Sequence, residues 1–187
     1  FTNLSPEHLD YHGTMEDYYH AKAKLFKSLP LSATAIINAS DEYGLRLINE
    51  STAPIIKVSV SNNSDVHFKE VHSSLNGISG TIAAGEHEID FKSALIGDFN
   101  MENILSAVGA ALAMGIPIET IVSGINSCKV VMGRMESLAA PNGAPIIVDY
   151  AHTPDAYEKV LSTIYNLVPE NGCLITIFGC GGNRDAS

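Results

Sequence analysis

Residues 34–60, TAIINASDEYGLRLINESTAPIIKVSV, decide the fold. TAIINAS (34–40) is a short apolar run closed by turn-forming residues, the pattern of a buried strand. A helical patch follows over Glu42–Glu50, and PIIKVSV (54–60) reads as a second strand. Downstream, from Asn62 to about Phe91, the texture changes. VHFKEVHSS, GISGTIAAG and HEIDFKS are short, alternating, β-branched segments separated by Gly and Asn, which predict antiparallel strands of a small side sheet. IGDFNMENILSAVGAALAMGIP then predicts a helix over Met101–Met114 with Asn100 as N-cap, stopped by Gly115 and Pro117. PIETIVSGINSC predicts another helix, with Pro117 at its first position.

Upstream, FTNLSPEHLDYHG (1–13) is polar and punctuated, and reads as an extended loop. Thr14 and Asp17 match a capping-box start for a helix running to about Leu29. Past Cys128 the pattern restarts: GRMESLAA and APIIVDYA are strand-like, TPDAYEKVLSTIYNLV is helical, and NGCLITIFGCGG is a strand entering a glycine turn. Such a strand–helix–strand unit predicts adjacent parallel strands. The class is α/β, a mostly parallel sheet with a small antiparallel side sheet. A boundary near 129–133 separates residues 1–131 from a second unit at 132–187.

The 187 residues are 45% hydrophobic, enough to bury a core, and carry a net charge of −10. That charge argues against a nucleic-acid or acidic-membrane surface. It leaves room for an anionic small molecule where backbone dipoles or a metal supply positive charge. Cys128, Cys173 and Cys180 have no CxxC spacing and suit a reducing cytoplasm. No signal-peptide pattern is seen, and no apolar run approaches the roughly 18–20 residues of a membrane span. The chain starts at Phe1 and stops just after GCGGNRDAS, so it is expected to be part of something longer.

Four constellations carry possible chemistry. In YYHAKAKLF (18–26), Lys22 falls on a stripe formed with Met15, Tyr18, Leu25 and Leu29, where an apolar residue is expected. Its stem could snorkel, it could pair with Asp10 or Glu16, or it could lose its proton and react with CO2 to give a metal-binding carbamate. His8, Asp10 and His12 precede it, either as metal ligands or as solvated loop residues. Asn100 and Asn103 lie three apart at a helix start and could face one ligand, although capping also accounts for Asn100. IIVDYAHTPD places Asp149, His152 and Asp155 after an apolar strand, where open α/β sheets gather ligands. GCGGNRD offers Arg184 as a clamp for a carboxylate or phosphate, with a solvated arginine as the alternative. GxxxxGK[ST] occurs nowhere, so a phosphate cradle must come from elsewhere.

TNLSPEHLDYHGTMEDYYHAKAKLF, GDFNMENILSAVGAALAMG, GRMESL, DYAHTPDAYEKVL and FGCGGNRD together resemble, in order and spacing, the Mur ligases of peptidoglycan synthesis. HLDYHG and DYAHTPD are most similar to the MurE type, which adds the third amino acid. The resemblance implies that residues 1–131 are the second part of a central ATP-binding domain. Residues 132–187 would begin a Rossmann-like C-terminal domain. It implies ATP and Mg2+ as cofactors, UDP-MurNAc-L-Ala-D-Glu and an amino acid as small-molecule partners, a cytoplasmic monomer, and an inactive isolated fragment. An acyl phosphate would form and be attacked by the incoming amine.

By the same resemblance Lys22 matches a carbamylated lysine holding Mg2+ with His8. Asn100 and Asn103 match an adenine-contacting pair, and Arg134, Asp149 and, less directly, His152 match ATP-binding positions. Arg184 matches the arginine that meets the incoming amino acid. GGNRDAS departs from the usual GGDRDKGKR, and the GCGG[DN]RD wording leans toward meso-diaminopimelate. The competing expectations are a non-catalytic nucleotide- or partner-binding relative and a sibling ligase.

Overall fold

A computed structural model of the protein describes residues 1–6, 9–61 and 63–179. The stretch expected to be an extended loop contains one helical turn, α1 (Leu9–His12). Gly13, at φ 80°, ends it by donating its N–H to the Leu9 carbonyl at 2.8 Å. Thr14 caps α2 (Met15–Lys27) as expected, its Oγ1 accepting the Asp17 N–H at 3.1 Å and donating to Asp17 Oδ2 at 2.6 Å. The buried face of α2 is carried by Tyr19 and Ala23, with Phe26 half-buried. It therefore lies about one residue round from the expected stripe: Leu25 is 62% exposed and Lys22 sits on the margin. Tyr19 and Phe26 turn inward on this face, while Tyr18 of the expected stripe is only half-buried.

β1 (Ala35–Asn38), α3 (Glu42–Glu50) and β2 (Ile55–Val58) form the expected unit. The strands pair in parallel, Ala35 opposite Ile55 through Asn38 opposite Val58. Asp41 caps α3 by accepting the N–H groups of Tyr43 and Gly44 at 2.9 and 3.0 Å. Gly44 packs on the Asn38 carbonyl so closely that a Cβ there would collide with it. Residues 1–3 extend the sheet on its other side. Phe1 N donates to Ile36 O at 2.7 Å and Asn38 N to Phe1 O at 2.9 Å, a parallel pattern with Phe1 opposite Ile37.

β3 (Val66–Ser74), β4 (Gly77–Ala84) and β5 (His87–Ser93) are antiparallel to one another, as expected. They are continuous with the parallel strands. β3 joins β2 in parallel through Val58 opposite Val66, giving one five-stranded sheet in the order β1-β2-β3-β4-β5. Period-two burial on β5, with Ile89 and Phe91 inward and Glu88 and Asp90 outward, sets which face is covered. That face receives α4 (Asp98–Ala113) and α5 (Ile118–Ser127), and the main core gathers Val58, Phe68, Ile82, Leu105 and Val108. Gly109 allows α4 to lie against Ile36, Ile56 and Val58. Pro117 is the residue before α5, one position earlier than expected. A second cluster joins Tyr19 and Ala23 to Ala35, Ile37 and Leu47.

β6 (Glu136–Ala139) and β7 (Pro145–Val148) form an antiparallel pair, Glu136 opposite Val148, and α6 (Pro154–Leu167) follows with Thr153 as N-cap and Pro154 in its first turn. The parallel neighbour expected for β7 is not observed among the described residues. Residues 172–179 carry no strand, and Ile175, Ile177 and Phe178 are 81%, 94% and 71% exposed. A strand exists only where a ladder partner takes its backbone groups, and the described residues offer none here. Ile96, Met135 and Ile164 make a small third cluster.

Candidate functional site

Asn100 is not the N-cap of α4. Gly97, at φ 101°, occupies that position without a side-chain cap, and Asn100 lies inside the first turn. It is buried, its Nδ2 donating to Ile96 O at 2.7 Å. Asn103, one turn on, is exposed and donates its own Nδ2 to Asn100 Oδ1 at 3.1 Å. The two amides are therefore hydrogen-bonded to each other. Asn100 is anchored and orients Asn103, which is exposed.

The third constellation is tied to the same place through the backbone. Ile96, whose carbonyl holds Asn100, packs with Met135 and Ile164. The Met135 N–H in turn donates to Asp149 Oδ2 at 2.8 Å, while Asp149 Oδ1 accepts the Ala151 N–H at 2.8 Å. Asp149 thus clamps two turns, and Met135 adopts φ 48°, a strained left-handed conformation for a residue with a side chain. Arg134 is exposed, its guanidinium carbon 5.3 Å from the centroid of the Tyr150 ring. The Nδ1 of His152 lies 3.0 Å from Tyr150 O. Arg134, Lys129 and Asn76 line a cavity of about 200 Å3 with Ile96 and Met135. Asn100, through Ile96, and Asp149, through Met135, are thereby tied to one packed joint, and of the expected site residues Arg134 lines its cavity. Asp155, the last member of that motif, instead pairs with Lys159 at 2.9 Å along α6.

Lys22 lies elsewhere, beside the second cluster. Its Nζ donates to Asn3 O at 3.3 Å and sits 5.0 Å from the Tyr18 ring centroid and 6.0 Å from that of Phe1. These contacts suit an ammonium. The suggested pairing with Glu16 is not made: Glu16 accepts both terminal nitrogens of Arg46, at 2.7 and 2.8 Å, and lies 3.0 Å from His20. Arg46 also reaches Glu50, which holds Lys27 at 2.7 Å and accepts the Tyr19 hydroxyl at 2.9 Å. Lys27 and then Arg46 pull the Glu50 carboxyl down to about 2, and burial with the Glu50 bond pushes the Tyr19 hydroxyl up to about 12. His8 and Arg184 lie outside the described residues. Mg2+ prefers oxygen ligands, and among the described residues no three His, Cys, Asp or Glu side chains converge to hold a metal. The described side chains alone do not make a Mg2+ site, and His8, the ligand expected beside Lys22, is not among them.

Sequence reasoning missed Asn38, Asp41 and Glu102. Asn38, 1% exposed, donates from Nδ2 to Thr2 O at 2.8 Å and to Glu102 Oε2 at 3.1 Å. Burial raises the Glu102 carboxyl above its ordinary range, and the charge of Asp41 adds to this. The Asn38 hydrogen bond and Lys159 act in the opposite direction. The available signal was a polar amide closing the apolar run AIIN, where a strand that merely ended would need no buried side chain.

A family model described as the Mur ligase middle domain matches residues 1–111, and one described as the Mur ligase, glutamate ligase domain, matches residues 133–187. The UDP-N-acetylmuramoyl-L-alanyl-D-glutamate--2,6-diaminopimelate ligase of Geobacter metallireducens is 43% identical over 192 residues, which cover 99% of this chain and 37% of that protein. A solved structure of a ligase with the same description aligns with a TM-score of 0.75 at 33% identity, covering 98% of this chain and 38% of the other. MurF from Acinetobacter baumannii aligns with a TM-score of 0.78 at 19% identity over 88% of this chain and 36% of its own, a likeness of fold alone. The chain spans little more than a third of the length of these relatives.

Proposed function

Because the chain belongs to the Mur ligase family, we propose that it is part of an ATP-dependent, ADP-forming acid–amino acid ligase. That ligase adds meso-diaminopimelate to UDP-MurNAc-L-Ala-D-Glu. The observation that carries the reading is the 43% identity, running along 99% of the chain, with a ligase named for diaminopimelate. The geometry supports it: Asn103, oriented by Asn100, stands at a joint where Arg134 and the Asp149–His152 turn meet. Residues 1–131 are the second part of a central ATP-binding domain and 132–187 the start of the domain receiving the amino acid. The two family matches, ending at 111 and starting at 133, support that division.

In this reading the terminal phosphoryl of ATP passes to the acceptor carboxylate, leaving ADP. The amine of the incoming residue attacks the acyl phosphate, and phosphate leaves as the amide forms. Asn100 and Asn103 hold the adenine through donor and acceptor groups that need no charge. Arg134, Asp149 and His152 contact the remainder of ATP from across the joint, so that closing it excludes water from the acyl phosphate. Lys22 carries a carboxyl group as a carbamate, which with His8 would supply oxygen and nitrogen ligands to Mg2+, and Arg184 meets the amino acid. The enzyme works in the cytoplasm as a monomer, and the 187-residue chain alone is inactive. No helix among the described residues is long and apolar enough to cross a membrane.

The test is ADP release by the full-length protein with UDP-MurNAc-L-Ala-D-Glu, ATP and Mg2+ against a panel of amino acids. Release that depends on meso-diaminopimelate is expected, and turnover with lysine instead, or with none of the panel, overturns the assignment. Intact mass in bicarbonate should show one added carboxyl group that Lys22→Ala abolishes.

A further inference from the structure

We propose that Asn38 is a positioning residue. It fixes the spacing between the segment that holds Lys22 and the helical turn that carries Asn100 and Asn103. The proposal rests on the ligase reading above and assigns the coupling between its two halves.

Asn38 ends β1, at the edge where open α/β sheets gather their ligands. An amide nitrogen has two hydrogens, and both are used. One goes to Thr2 O at 2.8 Å and the other to Glu102 Oε2 at 3.1 Å. The amide oxygen accepts the Ser40 N–H at 2.9 Å, and the main-chain N–H donates to Phe1 O at 2.9 Å. One buried side chain thus ties a neighbouring extended segment, the loop after β1 and helix α4.

Each tie leads to a group already placed in the site. On the Thr2 side, the next carbonyl, that of Asn3, accepts Lys22 Nζ, and the next amide, Leu4 N, donates to Asp41 Oδ2 at 3.0 Å. On the other side Glu102 lies between Asn100 and Asn103 in the first turns of α4. Asp41 repels Glu102 and Lys159 attracts it, so the Asn38 amide is the neutral donor that keeps a half-buried carboxylate beside an acidic cap. Without that donor the carboxylate must turn toward water. The same loss frees Thr2 and the segment that leads to Lys22. Chemistry that joins three reactants is sensitive to displacements of about 1 Å, and such shifts lower the rate rather than abolish folding.

A purely structural amide would lower stability and nothing else. The experiment therefore compares variants of the full-length enzyme at matched stability. Asn38→Asp keeps the size but removes both donors and sets a carboxylate against Glu102. The proposal expects a fall in kcat of about tenfold or more together with a raised KM for ATP. Ile121→Ala, in the core under β5 and remote from these groups, should lose as much Tm with kcat within about twofold of wild type. Adding Glu102→Gln to Asn38→Asp reverses donor and acceptor across the pair and should recover several-fold in kcat, on the order of the energy of one such bond. If Asn38→Asp does not fold, Glu102→Ala decides by the same comparison with Ile121→Ala. A kcat loss that merely follows Tm, or no recovery in the double variant, overturns the proposal. A wild-type protein that releases no ADP overturns the ligase reading first, and is recognised before any variant is compared.

Discussion

Residues 1–127 and residues 133–179 are held together in different ways. The first region has two clusters of its own: Val58, Phe68, Ile82, Leu105 and Val108 under the sheet, and Tyr19, Ile37 and Leu47 on its other side. The second has one cluster, in which Met135 and Ile164 close on Ile96, a residue of the first region. Ile147, Val160, Leu167 and Leu174 pack around that cluster, while Leu138, Ile146, Ile175, Ile177 and Phe178 stand largely in solvent. A region that borrows its anchor can move as a unit only if that anchor stays intact. The amide pair Asn100–Asn103 grows from the borrowed side, and the Arg134–Asp149 turn from the borrowing side.

The largest test is Leu105→Ala, which empties a fully buried position on α4 and should cost about 4 kcal/mol. Both regions should lose hydrogen-exchange protection together. Protection retained in β6 and β7 would break the comparison by showing that the second region stands alone. Met135→Ala should cost about 3 kcal/mol, and locally. Exchange in β6, β7 and α6 should quicken while β3–β5 remain protected. Removing the clamp with Asp149→Ala should cost about 2 kcal/mol, because two main-chain N–H groups lose a charged acceptor. The same method should show its effect confined to residues 133–152.

The smallest effect lies in the first region alone. The folded-state pKa of Glu50 is lowered to about 2 from an ordinary value near 4.5, so its bonds to Lys27, Arg46 and Tyr19 stabilise fully above the ordinary value. That contribution fades as pH falls from about 4.5 toward 2. Glu50 is partly exposed, so the gain is under about 1 kcal/mol. Urea midpoints of wild type and Glu50→Gln should differ at pH 6 and converge only as the pH falls to about 2. Glu102 has the opposite sign, since its raised pKa means that its ionised form costs stability and a falling pH relieves that cost. Glu102→Gln should therefore narrow its difference from wild type as the solution is acidified.

Particular residues show where the sequence was readable. The 34–60 stretch was legible because turn residues bracket each short apolar run, and Asp41 and Gly44 obey local rules of capping and close approach. The three antiparallel strands were legible because one covered face imposes a period of two. The stripe on α2 was misplaced because Tyr19, Lys22 and Leu25 sit within about two turns, and periodicity alone does not choose among neighbouring faces. Asn100 has the chemistry of a cap but sits three residues inside the helix, because Gly97 supplies the turn and Ile96 O takes its amide. That residues 172–179 find no ladder partner among the described residues was not legible, since a ladder is a contact between distant segments.

The sequence by itself determined the α/β class, the order of the elements and the family to which their motifs belong. Those depend on side-chain period, caps and turn residues that act within a few positions of one another. Only the tertiary structure decided that the antiparallel strands join the parallel ones through Val58 and Val66. It also set Lys22 at the margin of its helix and made Asn38 join Thr2 to Glu102. The 36 and 64 positions separating Asn38 from those two partners are the physical reason. A buried amide takes whatever donors and acceptors the packed chain brings to it, and no local pattern records which these are.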